Sequence, residues 1–380
     1  MQAIERLCET KTPDAAVFCG DLTTRGQLPT YVQCVSYLNR TLGLAEGRFW
    51  TMDGIHAVPG NHDVDRKLAD PAGEDFLQKF APLEETWRAE DLDILACAAV
   101  RPTQVEGSEG VLATVYSINS CIGCGEKRAR QGEFTDAKAA ELEARSEDGD
   151  SAATDLLWEG LDTPLFAEDQ LGDLNDSINE LGRKQLPVVV THHNLLPQAV
   201  PRADIYTELF NGGAARVRLS AHDRWVLYLH GHIHDDPIEV IEQRYPGAGK
   251  VLAISAPLLE DGFNVISIEF GYADRPMGAS VVHYRYEKGG DVRPRAQLRI
   301  GLASKADEPT QLLGDILSVL GTGTNLRFRD VEAKLTEHRG SQPDRTELCN
   351  ALWEAEWAGY LAISERDDEP KQWTISREAL

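Results

Sequence analysis

With 380 residues, 42% of them hydrophobic and 26% charged, the chain can bury a substantial core, and its length predicts two domains or one large domain with an appendage. A net charge of −24 argues against a broad nucleic-acid surface, which relies on Lys and Arg to neutralise phosphates, and leaves nucleic acid only a local basic groove or a metal-held phosphate. No run approaches the ~20 apolar residues that span a bilayer, and Met1-Gln2-Ala3-Ile4-Glu5-Arg6 lacks a basic segment leading into an apolar one, so a cytoplasmic location without a membrane role is expected.

Ile4, Leu7 and Cys8 recur at helical spacing ahead of Pro13 and predict an opening helix. Ala15-Ala16-Val17-Phe18-Cys19 predicts a buried strand ending at Gly20-Asp21. Residues 27–45 follow as a helix, and Ile55-His56-Ala57-Val58 is the next strand, stopped by Pro59-Gly60 just before Asn61. Residues 111–118 are strand-like and end at Asn119-Ser120. The Ala-, Glu-, Asp- and Leu-rich segment 135–185 is expected to be helical, with its acidic stretch around 145–155 a solvated loop or helix edge. Leu186-Pro187-Val188-Val189-Val190 leads into Thr191-His192-His193, and Trp225-Val226-Leu227-Tyr228-Leu229 leads into His230-Gly231-His232. Strand then follows strand over 251–254, 263–270, 279–286 and 295–300. Alternating strands and helices followed by a run of strands imply an α/β fold, two sheets facing each other as a sandwich with helices outside.

The polar, Pro-containing segment 303–309 reads as a linker, dividing a domain at 1–302 from a small α+β module at 303–380. There 311–320, 325–338 and 344–361 predict three short helices, and 361–364 with 372–376 a hairpin, the outline of a winged-helix-like module. Its best recognition-helix candidate, 344–359, carries Asp344, Glu347, Glu354 and Glu356 against Arg345, so contact with a protein partner or self-association is expected of it rather than major-groove binding. Trp353, Trp357 and Trp373 are expected to form a small core. Seven cysteines, an odd number, suit a reducing compartment, and Cys121-Ile122-Gly123-Cys124, lacking a second such pair, reads as two reduced thiols after a strand.

Four short blocks carry the chemistry: Gly20-Asp21, Gly60-Asn61-His62-Asp63, His192-His193 and Gly231-His232-Ile233-His234. Each follows a predicted strand, and in α/β sheets ligands bind beyond the carboxyl ends of strands, so the fold is expected to gather them. Asp21 offers a carboxylate able to bridge two cations, Asn61 a neutral carbonyl oxygen, and His192, His232 and His234 imidazole nitrogens. Mixed oxygen and nitrogen donors suit Mn, Fe or Zn better than Ca. Two such ions ~3.5–4 Å apart activate a water and orient a phosphoryl group. His62 is placed to protonate a leaving oxygen, and Asp63 to orient His62. His193 and His230 are expected to support the ligands from behind, and Arg25 to be a surface residue in a turn. His232 and His234, two apart in an extended segment, are expected on one side of it.

In this order the blocks resemble the calcineurin-like metallophosphoesterases, over roughly residues 10–300. The resemblance implies a two-sheet sandwich flanked by helices. It also implies that Asp21 bridges both metals, that Asn61, His192 and His232 bind the second, that His234 binds the first, and that His62 is the catalytic acid. The family's opening Asp-x-His motif has no counterpart in residues 1–20, leaving Asp21 and His234 for the first metal. A start upstream of Met1 is the favoured explanation, ahead of a single-metal or an inactive protein. The expected activity is that of a metal-dependent phosphodiesterase acting on a small phosphoester or nucleotide. A non-catalytic regulator with a partner on its tail, and a nuclease subunit working with a separate ATPase, are the alternatives.

Overall fold

The computed structural model describes residues 2–10, 12–23, 28–66, 68–69, 77–107, 110–125, 136–182, 185–196, 209–233, 237–243, 248–270, 276–287, 292–302, 311–357, 359–364 and 369–377. Contacts divide the chain into two compact units. The first takes in Met1–Gly182, Leu186–Phe263 and Tyr286–Val292; the second takes in Arg183–Gln185, Asn264–Arg285 and Arg293–Leu380.

The first unit opens with helix α1 (Gln2–Thr10), strand β1 (Ala16–Phe18), helix α2 (Leu28–Leu42) and strand β2 (Ile55–Ala57). β1 and β2 are parallel, Val17 opposite His56, so both carboxyl ends point the same way. Tyr31, Val35, Leu38 and Leu42 line one stripe of α2 and join Ile55, Ala57 and Trp87 in a buried cluster. Trp87 belongs to α3 (Ala81–Ala89), which the sequence reading did not anticipate.

A six-stranded sheet follows, in the order β3-β4-β5-β6-β8-β7, from β3 (Arg101–Gly107), β4 (Gly110–Ser117), β5 (Leu186–Val190), β6 (Trp225–His230), β7 (Ile238–Glu242) and β8 (Lys250–Ser255). β4, β5, β6 and β8 are parallel neighbours, while β3 and β7 pair antiparallel to the rim strands beside them. Every residue of β5 and β6 is buried, as expected of central parallel strands covered on both faces. β3 holds Pro102 and β7 carries Glu239 and Glu242 among its apolar residues, an edge chemistry that hid both from the apolar-run reading.

Between β4 and β6 lie α4 (Asp136–Glu147), α5 (Ser151–Leu161), α6 (Glu168–Glu180) and α7 (Gly212–Leu219). Leu171, Leu174 and Ile178 of α6 and Ala215 and Leu219 of α7 pack with Tyr116, Val189, Val226, Tyr228 and Val251 of the sheet. Ala139, Leu142, Ala153 and Leu157 join α4 to α5, so the acidic stretch near 145–155 takes in the end of α4, a turn at 148–150 and the start of α5.

Strands β9 (Gly262–Phe270), β10 (Pro276–Tyr286) and β11 (Val292–Gly301), most of whose residues fall in the second unit, form a sheet in the order β11-β10-β9. The remaining elements of that unit run α8 (Gln311–Val319), β12 (Thr324–Arg327), α9 (Phe328–Arg339), α10 (Arg345–Trp357), β13 (Ala362–Ser364) and β14 (Thr374–Arg377), with the strands ordered β12-β14-β13. The C-terminal elements thus run helix, strand, helix, helix, strand, strand. Residues 324–327 pair with β14 instead of opening a helix. Trp353 stacks on Trp373, ring centroids 5.9 Å apart, inside a core with Phe328, Leu335, Leu352 and Ile375. Trp357 turns elsewhere: its Nε1 donates to Glu269 Oε2 at 3.1 Å, and a Cβ added to Gly278 would come within 2.2 Å of its ring. The second unit includes Asn264–Arg285 along with the C-terminal elements.

The result is a mixed α/β protein with a central mixed sheet flanked by helices and small sheets towards the C-terminus. Among the described residues no helix is long and apolar enough to cross a membrane.

Candidate active site

Three predicted strands, β1, β2 and β5, end in residues that meet. Past β1 the chain turns through Gly20 and Asp21, at φ +89° and +54°. A Cβ on Gly20 would lie 2.6 Å from Gly60 N and 2.7 Å from His192 Nδ1, so three motifs touch at one backbone position. Gly60 is equally confined, since a Cβ there would sit 2.1 Å from Asp21 Oδ1. The glycines of both motifs are therefore required by close approach.

Asp63, fully buried, accepts from Leu22 N at 3.0 Å, Thr23 N at 2.9 Å, Gly60 N at 2.9 Å and Thr23 Oγ1 at 3.2 Å. Its carboxylate thus ties the β1 loop to the β2 loop. Burial, with the charge of Asp21, pushes it up to about 6 against the pull of those amides.

Asp21 Oδ1 accepts from His62 N at 3.1 Å and lies 3.4 Å from His192 Nε2. Burial acts to raise this carboxyl, but the imidazoles of His192, His62 and His232, with the His62 amide, outweigh it and hold it below the usual carboxylate range. His192 Nε2 is also 3.0 Å from Asn61 Oδ1, while its Nδ1 meets Cys19 O at 2.6 Å. Asn61 Nδ2 donates to Asp162 Oδ2 at 2.9 Å, and Arg66 donates to the same oxygen at 2.8 Å. Beyond β6, His232 has φ +68° and brings its ring to 5.1 Å from His192 and 4.5 Å from His193. His62 is exposed beside this buried cluster.

The family model of calcineurin-like phosphoesterases matches residues 1–236. The chain belongs to that family. No curated protein matches it in sequence. It is similar to a solved putative 5'-nucleotidase from Staphylococcus aureus in complex with alpha-ketoglutarate, at 13% identity over 86% of this chain and 55% of that one, TM-score 0.33. It is also similar to the NAD nucleotidase of Haemophilus influenzae, at 11% identity over 94% of this chain and 60% of that one, TM-score 0.33. The chain thus spans 55% and 60% of the length of these two.

Calcineurin-like phosphoesterases hydrolyse phosphate esters with divalent metal ions, and the donor set fits such an ion. Cys19 O can only accept, so His192 Nδ1 carries a proton, and Nε2 is the ring atom turned towards Asn61 and Asp21. Asp162 likewise accepts from Asn61 Nδ2, which directs Asn61 Oδ1 at the same point. Nε2 lies 3.0 Å from Asn61 Oδ1 and 3.4 Å from Asp21 Oδ1, so one imidazole nitrogen and two oxygens converge. Mixed nitrogen and oxygen ligand atoms of this kind suit a divalent transition-metal ion.

Asp21, Asn61, His192 and His232 are brought together; His234, like Arg25, lies outside the described residues. Extended backbone does not continue through the last motif, because β6 stops at His230 and His232 is left-handed, so strand alternation does not place His232. The Asp63 side chain is turned into the β1 loop, where it grips backbone amides. His193 is buried behind His192, its Nδ1 2.8 Å from Ser120 Oγ. Burial first, then His232, His192 and His230, keep its pKa well below the usual imidazole value. His230, also buried, is lowered to about 4 by burial and shares a hydrogen bond with Gly231 O. Sequence reading missed Asp162 and Arg66, which stand in no motif and lie far along the chain from each other.

Proposed function

We propose that the chain is a metal-dependent phosphodiesterase whose pocket is formed by Asp21, Asn61, His62, His192 and His232. The observation that carries this reading is the convergence of Asn61 Oδ1, His192 Nε2 and Asp21 Oδ1 within 3.0–3.4 Å. Asp21, Asn61, His192 and His232 would hold divalent ions, with Mn, Fe or Zn matching their oxygen and nitrogen donors. When bound, such ions polarise the phosphoryl group and lower the pKa of a water.

The protein's own groups do the rest. The Cys19 carbonyl fixes the His192 tautomer and so keeps Nε2 as a donor. Asp162 keeps the amide of Asn61 from flipping. Asp63 joins the two loops, so Asp21 and Asn61 hold their separation. His62, exposed at the edge of the cluster, protonates the leaving oxygen, a role its position beside Asp21 supports. A small phosphoester or a nucleotide is the substrate class this arrangement suits, because the phosphate is held by ions and needs no basic groove.

The test is release of nitrophenol from bis(p-nitrophenyl) phosphate with added Mn²⁺. Activity should vanish with EDTA and in Asp21→Asn. An unchanged rate in either case sinks the assignment.

A further inference from the structure

We propose that His193 is a metal ligand through its Nε2, so that the ion held by His192 also bonds the next residue along the chain. The proposal rests on the reading above and extends it to a residue that the motif pattern leaves behind the site.

His192 and His193 lie beyond the end of β5, where strand alternation no longer sends neighbours to opposite faces. Their rings meet edge to face with centroids 4.7 Å apart, and His232 closes the triangle at 5.1 and 4.5 Å. One nitrogen from each of the three rings lies within 4.8 Å of the others.

Ser120 sets the orientation of His193. Its Oγ accepts the backbone N–H of His193 at 3.1 Å and lies 2.8 Å from Nδ1 of the same ring. One hydroxyl thus engages both ends of the residue on that side. Nε2 is left buried with no hydrogen-bond partner among the described residues. If Nδ1 donates to Ser120, Nε2 is a bare lone pair; if Nδ1 accepts, Nε2–H is a buried donor with nothing to receive it. A buried polar atom in either condition costs roughly 1–3 kcal/mol unless something occupies it. A space-filling role for this side chain would be met by an apolar residue without that cost. A cation shared with His192 and His232 uses the lone pair, and Ser120 then plays the part of the partner that orients a ligating imidazole.

Cobalt(II) titration of the apo full-length chain, followed by visible absorption and calorimetry, tests this. His193→Gln should weaken cobalt binding roughly 100-fold and alter the ligand-field bands, and Ser120→Ala should weaken it about tenfold with the bands kept. Should His193→Gln fail to fold, Ser120→Ala decides by the same affinity measurement. Affinities within about twofold of wild type in the folded variants overturn the proposal while leaving the phosphodiesterase reading intact. A thiolate-to-cobalt charge-transfer band would place the ion at Cys121 and Cys124 and also overturn it. Wild-type protein that binds no cobalt removes both this proposal and the reading it rests on.

Discussion

Replacing Asp162 separates the orienting network from the ligands themselves. Its carboxylate takes the Asn61 amide at 2.9 Å and the Arg66 guanidinium at 2.8 Å, with the side chains of Arg66 and Asp162 only 12% and 11% exposed. Asp162→Ala removes two hydrogen bonds to a carboxylate, one of them from a guanidinium, together worth about 3–6 kcal/mol of apo-protein stability. The Asn61 share appears in metal binding. With its Nδ2 released, the amide can rotate and turn a donor instead of Oδ1 towards the ion, and losing such an orienting partner weakens a site roughly 10–100-fold. Asp162→Asn keeps the shape but not the charge and should fall between. Urea unfolding of the apo protein gives the first quantity, and calorimetric titration with Mn²⁺ gives the second. If stability falls by the stated amount while metal affinity stays within about twofold, Asp162 and Arg66 form a purely structural pair and the orienting role is wrong.

Three further outcomes are expected. His62→Ala should lower kcat on bis(p-nitrophenyl) phosphate by about 10²–10⁴-fold with metal affinity unchanged, and equal losses in both would place His62 among the ligands instead. Gly20→Ala should cost about 2–6 kcal/mol, adding left-handed strain to contacts of 2.6–2.7 Å with Gly60 and His192; a variant melting at the wild-type temperature would contradict the packing described. His56 is buried, and burial, opposed by Asp53, lowers it from 6.5 to about 4. The unfolded chain therefore takes up this proton first, so stability falls as pH drops below about 6.5, and the loss, about 3 kcal/mol, is complete near pH 4. His56→Gln should flatten that acid limb in urea unfolding; identical slopes for the two proteins would remove His56 as its source.

Much of the architecture was legible as apolar runs. β5 and β6 are buried at every position, and continuous Val, Leu and Ile declare such strands locally. β3, β7 and α3 escaped that reading, since edge strands keep polar residues and a short helix gives few turns of periodicity. Residues 324–327 read as the start of a helix because their strand character comes from pairing with β14, 50 or so residues away, and not from their own composition.

The sequence by itself singled out the candidates: Asp21, Asn61, His62, His192 and His232 each stand in a short motif just past a run of apolar residues. Tertiary structure alone decided what those residues lean on. Asp63 became a clamp on backbone amides, Ser120 a support for His193, and Asp162 with Arg66 the pair that aims Asn61. Hydrogen-bond partners are chosen by proximity in three dimensions, and residues 101 positions apart, as Asn61 and Asp162 are, leave no local pattern that would announce their meeting.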